Sequence, residues 1–178
     1  MAEALLSTAI TARNNIQSGA GGAPVAKQIN GGVLKVGRGV FEVSATASTV
    51  GSTYRVCSVP STAIIDKITV KCDAALTTGT IDIGLYQTTS NGGAALDDNC
   101  YATAYDVSGA GLVDQVEINL KWEVLDFGAN FEKQVWQDGG VATLGAAAAM
   151  YDVVATTATG TFGGGGSLAI TVYYLDGD

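Results

Sequence analysis

Histidine is missing from the chain altogether. That removes the side chain that changes charge nearest neutral pH and the commonest ligand for transition metals. Acid–base or metal chemistry would have to run on carboxylates, Cys, Lys, Ser or Tyr. Charged residues are only 15% of the sequence, which argues against a coiled coil or a charge-rich disordered chain. The three cysteines, Cys57, Cys72 and Cys100, are widely spaced and form no CxxC or zinc pattern. An odd set of this kind suits assembly in a reducing compartment, with Cys72 read as a small buried hydrophobe. Long apolar runs are also scarce. The most apolar later window, Val141 to Ala155, contains Asp152 and many small residues, unlike a membrane span. The N-terminus lacks a basic region and its apolar run breaks at Arg13, so no signal peptide is expected.

What is plentiful is Gly, with 24 residues, together with Ala, Thr, Ser and Val. That profile fits many short strands joined by small-residue turns. The clearest stretch is Ala63 to Gln87. Ile64, Ile68, Val70 and Cys72 share one parity, and Ile81, Ile83 and Leu85 alternate with Asp82, Gly84 and Tyr86. Period-two alternation means that one face meets a core. Burying these side chains is worth ~1.5–3 kcal/mol each before entropy is subtracted, Cys72 at or below the low end. Asp66 falls on the apolar parity and Ile65 on the polar one, so the strand starts after Asp66 or bulges there. Asp73 to Thr78 is expected to join two antiparallel neighbours, with Gly79 as a bend.

Other strands are expected over Val33 to Ala47, Tyr54 to Val59, Tyr101 to Val107, Val113 to Trp122, Tyr151 to Thr157 and Ser167 to Leu175. Residues 88–99 read as a polar loop, and 159–166 as a glycine loop. Phe127, Phe131, Val135 and Trp136 are partly at helical spacing, and Gly139-Gly140 would stop a short helix. About eight strand regions without helix–strand alternation give an all-β fold, a jelly-roll-like β-sandwich.

Ahead of it, residues 1–40 read as an N-terminal arm and linker, with residues 41–178 as the sandwich domain. Leu5, Leu6, Ile10 and Ile16 lie near one face of a marginal helix that Ser18-Gly19 would end. Residues 18–32, with five glycines and a proline, read as an extended connector. Residues 1–38 carry Arg13, Lys27, Lys35 and Arg38 against Glu3, a net +3, which leaves −11 of the total −8 on the rest. The acidic body makes nucleic-acid binding unlikely to be its task, since phosphate contacts need clustered Lys and Arg. A basic arm suits an acidic surface of a neighbour. Leu5, Leu6, Ile10, Arg13, Ile16, Lys27, Lys35 and Arg38 are therefore the candidate interaction residues.

No catalytic constellation assembles. Asp97 and Asp98 are adjacent, so on a strand they point opposite ways, and the Asp97-Asp98-Asn99 cluster lacks the spacing of an EF-hand loop. The loop Gly163 to Gly166 lacks the Lys-Ser/Thr end of a phosphate loop. Ser and Thr have no histidine to activate them. No enzyme, metal or cofactor is expected.

The run from Ser52 to Thr89, the segment YDVVATT at Tyr151 to Thr157 and SLAITVYYL at Ser167 to Leu175 resemble the head decoration (cement) proteins of tailed bacteriophages. The likeness is strongest at GTIDIGLY, Gly79 to Tyr86, and at LAITVYY, Leu168 to Tyr174. It spans roughly residues 40–178. The resemblance implies a trimeric jelly-roll subunit on the outer surface of a capsid, bracing neighbouring subunits of the major capsid protein. It implies host cytoplasm during assembly and the virion thereafter, and it carries over no functional residue. Two other classes stand beside it. One is a fibre-base or tail structural protein. The other is a carbohydrate-binding jelly roll using surface-directed Tyr86, Tyr101, Tyr105 and Tyr173.

Overall fold

The computed structural model describes residues 32–43, 49–72, 79–107, 116–118, 133–160, 162 and 166–176. They form eight strands: β1 (Val33–Val43), β2 (Thr53–Pro60), β3 (Ile64–Cys72), β4 (Thr80–Gln87), β5 (Ala95–Asp106), β6 (Val116–Ile118), β7 (Met150–Thr159) and β8 (Gly166–Asp176). One sheet has the order β1-β8-β3-β6, the other β2-β7-β4-β5, and every pairing is antiparallel. This interleaving across two four-stranded sheets is the jelly roll.

The inner faces follow from the alternation. Leu168, Ile170 and Val172 of β8 and Ile68 and Val70 of β3 line one sheet; Ile81, Ile83 and Leu85 of β4 with Tyr151, Val153 and Ala155 of β7 line the other. All of these are buried, as is Cys72. The Tyr54 ring packs at a tilt against those of Phe41 at 5.4 Å and Phe162 at 6.2 Å, extending the core.

The connection from β3 to β4 corrects the sequence reading. They are not hydrogen-bonded neighbours: β3 lies in the first sheet and β4 in the second. Alternation reports that one face is buried, and in a sandwich both sheets bury one face, so it is blind to which sheet a strand joins. Among the described residues, the hairpin within one sheet is β4–β5 instead. Gly79 does bend the chain, at φ +122°, with Phe162 packed where its side chain would be. Residues 88–99 are only partly a loop, since a short 3-10 turn at Thr89–Asn91 leads straight into β5.

Bulges reconcile the parity conflicts. In β3, Ile65 pairs with Tyr174 and Lys67 with Tyr173, so Asp66 is the extra residue and both Ile65 and Ile68 reach the core. In β2, Arg55 pairs with Val154 and Cys57 with Val153, which makes Val56 the extra residue. Arg55 and Ser58, three apart, thereby point to the same outer face.

A single-turn helix, α1 (Val135–Asp138), sits under the β2–β3 corner. Val135 N–H donates to the Ala63 carbonyl and Trp136 N–H to that of Ser61. Gln134 and Gln137 form its reciprocal N-terminal cap, and Gly139 ends it. Phe127, Phe131 and most of the expected Val113–Trp122 strand lie outside the described residues.

Candidate interaction surface

Strand β1 is where the outer surface departs from expectation for a soluble sandwich. It is an edge strand, and among the described residues its only ladder partner is β8. Its even positions, Leu34, Val36, Arg38, Val40 and Glu42, point outward. Val33, Leu34, Val36 and Val40 are 55%, 53%, 56% and 58% exposed. Single exposed hydrophobes are ordinary on any protein, but Leu34, Val36 and Val40, three on one face within seven residues of one strand, make a patch.

The inward positions explain why the apolar side chains face out. Gly37 and Gly39 point toward β2. A Cβ on Gly37 would collide with the Cys57 side chain, and one on Gly39 would sit 2.7 Å from the Phe41 ring and 3.0 Å from Val56 Cα. Glycine is therefore what lets β1 close the side of the sandwich. Lys35 Nζ donates to Asp176 Oδ2 at 2.6 Å, pinning the start of β1 to the end of β8. On the same outer face, Glu42 accepts from Ser167 Oγ at 3.0 Å, and Lys67 of β3 lies 5.6 Å over the Tyr173 ring.

Of the residues singled out from sequence, Lys35 and Arg38 stand in β1 itself, since the strand begins at Val33. Leu5, Leu6, Ile10, Arg13, Ile16 and Lys27 lie outside the described residues. The apolar strip was not read from sequence. A usable signal existed: Val40 and Phe41 are adjacent and apolar, so both cannot face the core, and the neighbouring glycines mark the close approach.

The opposite sheet carries a polar cluster rather than a patch. Arg55 Nη1 donates to Asp152 Oδ2 at 2.7 Å and to the Gln87 carbonyl at 3.0 Å, while Nη2 donates to the Gly93 carbonyl at 2.9 Å. Ser58 Oγ donates to Asp152 Oδ1 at 2.5 Å. The guanidinium also lies 5.7 Å over the Tyr86 ring. Its donors are used in holding β2, β7 and the β4–β5 turn together, so the cluster is structural.

Two of the four tyrosines considered for sugar stacking do not face water. Tyr101 is buried with its hydroxyl donating to Asp138 at 2.9 Å, and Tyr86 is buried with its hydroxyl 2.9 Å from Thr156 Oγ1. Tyr86 holds the outward parity, but the Arg55 side chain covers it. Tyr101 is drawn in by the irregular course of β5. Burial, then the charge of Asp138, pushes the Tyr101 phenol well above its ordinary range.

Among the described residues, no three His, Cys, Asp or Glu side chains group as metal ligands. Among the described residues, Cys57, Cys72 and Cys100 form no disulfide. Burial, aided by the nearby Asp152 charge, pushes Cys57 up to about 11, against an ordinary thiol near 9. A thiol held protonated is a poor nucleophile. Cys57 is thus expected to alkylate with iodoacetamide at pH 8 at least ~10-fold more slowly than free cysteine, read by peptide mass spectrometry. The same shift has a stability consequence. The folded state keeps a proton that the unfolded chain releases near pH 9, so Cys57 contributes stability below pH 9 that is lost as pH rises toward 11.

No protein-family model and no curated protein sequence matches the chain. Solved structures do match. A chain of the cyanophage Pam1 capsid asymmetric unit superposes with a TM-score of 0.53 at 20% identity, over 88% of this chain and 91% of that one. A chain of the capsid of Ralstonia phage GP4 superposes with a TM-score of 0.56 at 19% identity, over 90% of this chain and 94% of that one. The chain therefore has, over nearly its whole length, the fold of proteins found in two phage capsids.

Proposed function

We propose that this chain is a bacteriophage structural protein that decorates the outer surface of the capsid and stabilises it by bridging neighbouring shell subunits. The observation that carries this reading is the near full-length likeness to chains of two phage capsids. The partners are the major capsid protein and further copies of this chain, grouped in threes, with assembly in the host cytoplasm. A jelly roll suits the task because a stiff sandwich transmits load between its neighbours without rearranging. The exposed apolar strip of β1 offers the body a contact surface. The basic stretch carrying Arg13 and Lys27 supplies an arm whose charge opposes that of the body. Each contact is modest, and repetition over a closed shell multiplies it.

Electron cryo-microscopy of the parent particle with and without the protein tests the reading. The expected result is a discrete outer density that disappears with the protein, together with a lower temperature of genome release. Density within the tail, or an unchanged particle, would overturn it. Removing residues 1–30 is expected to cut capsid occupancy at physiological salt by ~10-fold or more, because one of two linked contacts is lost. Unchanged occupancy would remove the arm from the mechanism.

A further inference from the structure

The geometry points to β1 as a two-fold contact between copies of this chain, the strand pairing antiparallel with β1 of a second copy across the edge that no other described strand occupies. Edge strands in soluble sandwiches are normally shortened, covered or loaded with charge, because their unpaired backbone groups template another strand. β1 is 11 residues long and contains no proline. It presents Leu34, Val36 and Val40 outward beside that edge.

The charges choose the occupant and the register. Arg38 and Glu42 both lie on the outward face, four residues apart on a strand that rises ~3.4 Å per residue, too far to meet within one copy. An isologous pairing must keep the outward faces of the two strands on one side. Of the registers that do so, one sets Arg38 of each copy opposite Glu42 of the other. It places the axis at Val40, so that Val40 faces Val40. An axis at Arg38 would oppose two guanidinium groups, and one at Gly37 would leave Glu42 without a cation. The strand is thus complementary to itself, as a two-fold interface requires. The two β1-bearing sheets would run on into one eight-stranded sheet.

This contact involves copies of the chain alone and stands whether or not the chain decorates a capsid. A single edge pairing falls below the roughly 1,000 Å² that a stable isolated dimer needs, so the contact is weak in solution. On a shell, where threefold groups meet across two-fold positions, repetition would join them into a net.

The test uses the full chain. Val40→Cys, oxidised with glutathione disulfide, is expected to give a covalent dimer, since directly opposed residues lie within the Cα range a disulfide spans. Val36→Cys in the same conditions is expected to give no more dimer than the parent chain. Sedimentation at high concentration then reads the charges. Arg38→Glu or Glu42→Arg alone is expected to weaken self-association by about tenfold, and the double reversal to bring it back within about threefold. Recovery in the double variant requires contact between copies, since these two side chains do not meet within one. No Val40→Cys dimer above the parent level overturns the pairing, and a Val36→Cys dimer overturns the register. Single reversals that the double variant fails to rescue would overturn the second copy as occupant and assign the strip to a different acidic surface.

Discussion

Replacing Gly84 with valine is expected to destabilise the fold by about 3 kcal/mol or more, at the top of the range for overpacking. Gly84 lies mid-strand in β4, opposite Val154 of β7, with its side-chain position facing away from the core. On an ordinary outer face a valine would be welcome. Here β5 loses register: Ile83 pairs with Ala102 and Leu85 with Asp97, so Asp98 to Tyr101 stand opposite the single residue Gly84. The surplus chain folds back over β4. A Cβ on Gly84 would overlap the Asp97 carbonyl oxygen and the Asp98 carbonyl group, which are backbone atoms and cannot swing aside. The hairpin must separate, taking with it Tyr101 and its bond to Asp138. Gly145→Val is the control, because nothing lies within 4 Å of a Cβ there; it is expected to change stability by less than ~0.5 kcal/mol. Urea unfolding reads both. Equal midpoints for Gly84→Val and the parent would refute the assignment of this glycine to a backbone crossing.

Arg55→Met is expected to cost about 2–3 kcal/mol. The substitution keeps much of the aliphatic stem and removes the charge, leaving Asp152, whose side chain is 9% exposed, with the Ser58 hydroxyl but no guanidinium. Stranding a buried carboxylate costs about 3–5 kcal/mol, and the one-third exposure of the Arg55 side chain lowers the figure by solvent screening. Two carbonyl bonds that tether the β4–β5 turn are lost as well, so proteolysis should move to residues 88–93. Adding Asp152→Asn to Arg55→Met is expected to recover part of the loss, because a neutral amide no longer needs the cation. Additive losses in that double variant would show that Arg55 acts through the turn alone.

Both predictions depend on register slips, which period-two alternation reveals only in part. The doubt raised at Asp66 was legible, because an acid on the apolar parity of a strong strand demands a bulge or a later start. The bulge at Val56 was less so: Arg55 shares a parity with Cys57 and Val59, and Ser58 with Tyr54 and Val56, which marks an irregularity without placing it. Only the pairing with β7 shows Arg55 and Ser58 on one face, converging on Asp152. The candidate surface divides in the same way. Lys35 and Arg38 follow from charge, whereas the apolar strip between and beside them is signalled only by the adjacent apolar pair Val40 and Phe41. Alternation leaves two apolar parities in β1, Leu34, Val36 and Val40 on one and Phe41 and Val43 on the other, and the crowding that makes Gly37 and Gly39 the inward residues comes from Cys57 and Val56 on a different strand.

What the order of residues determined by itself was the class of fold: about eight alternating segments, each with one greasy face, can bury those faces only against one another. The tertiary structure alone decided the partners. It sent β3 and β4 to opposite sheets, drew Tyr86 and Tyr101 out of solvent, and turned the apolar side of β1 outward. The physical reason is that burial of a face is a local property with period two, whereas sheet membership, register and close backbone approach depend on atoms supplied by segments far away in the chain.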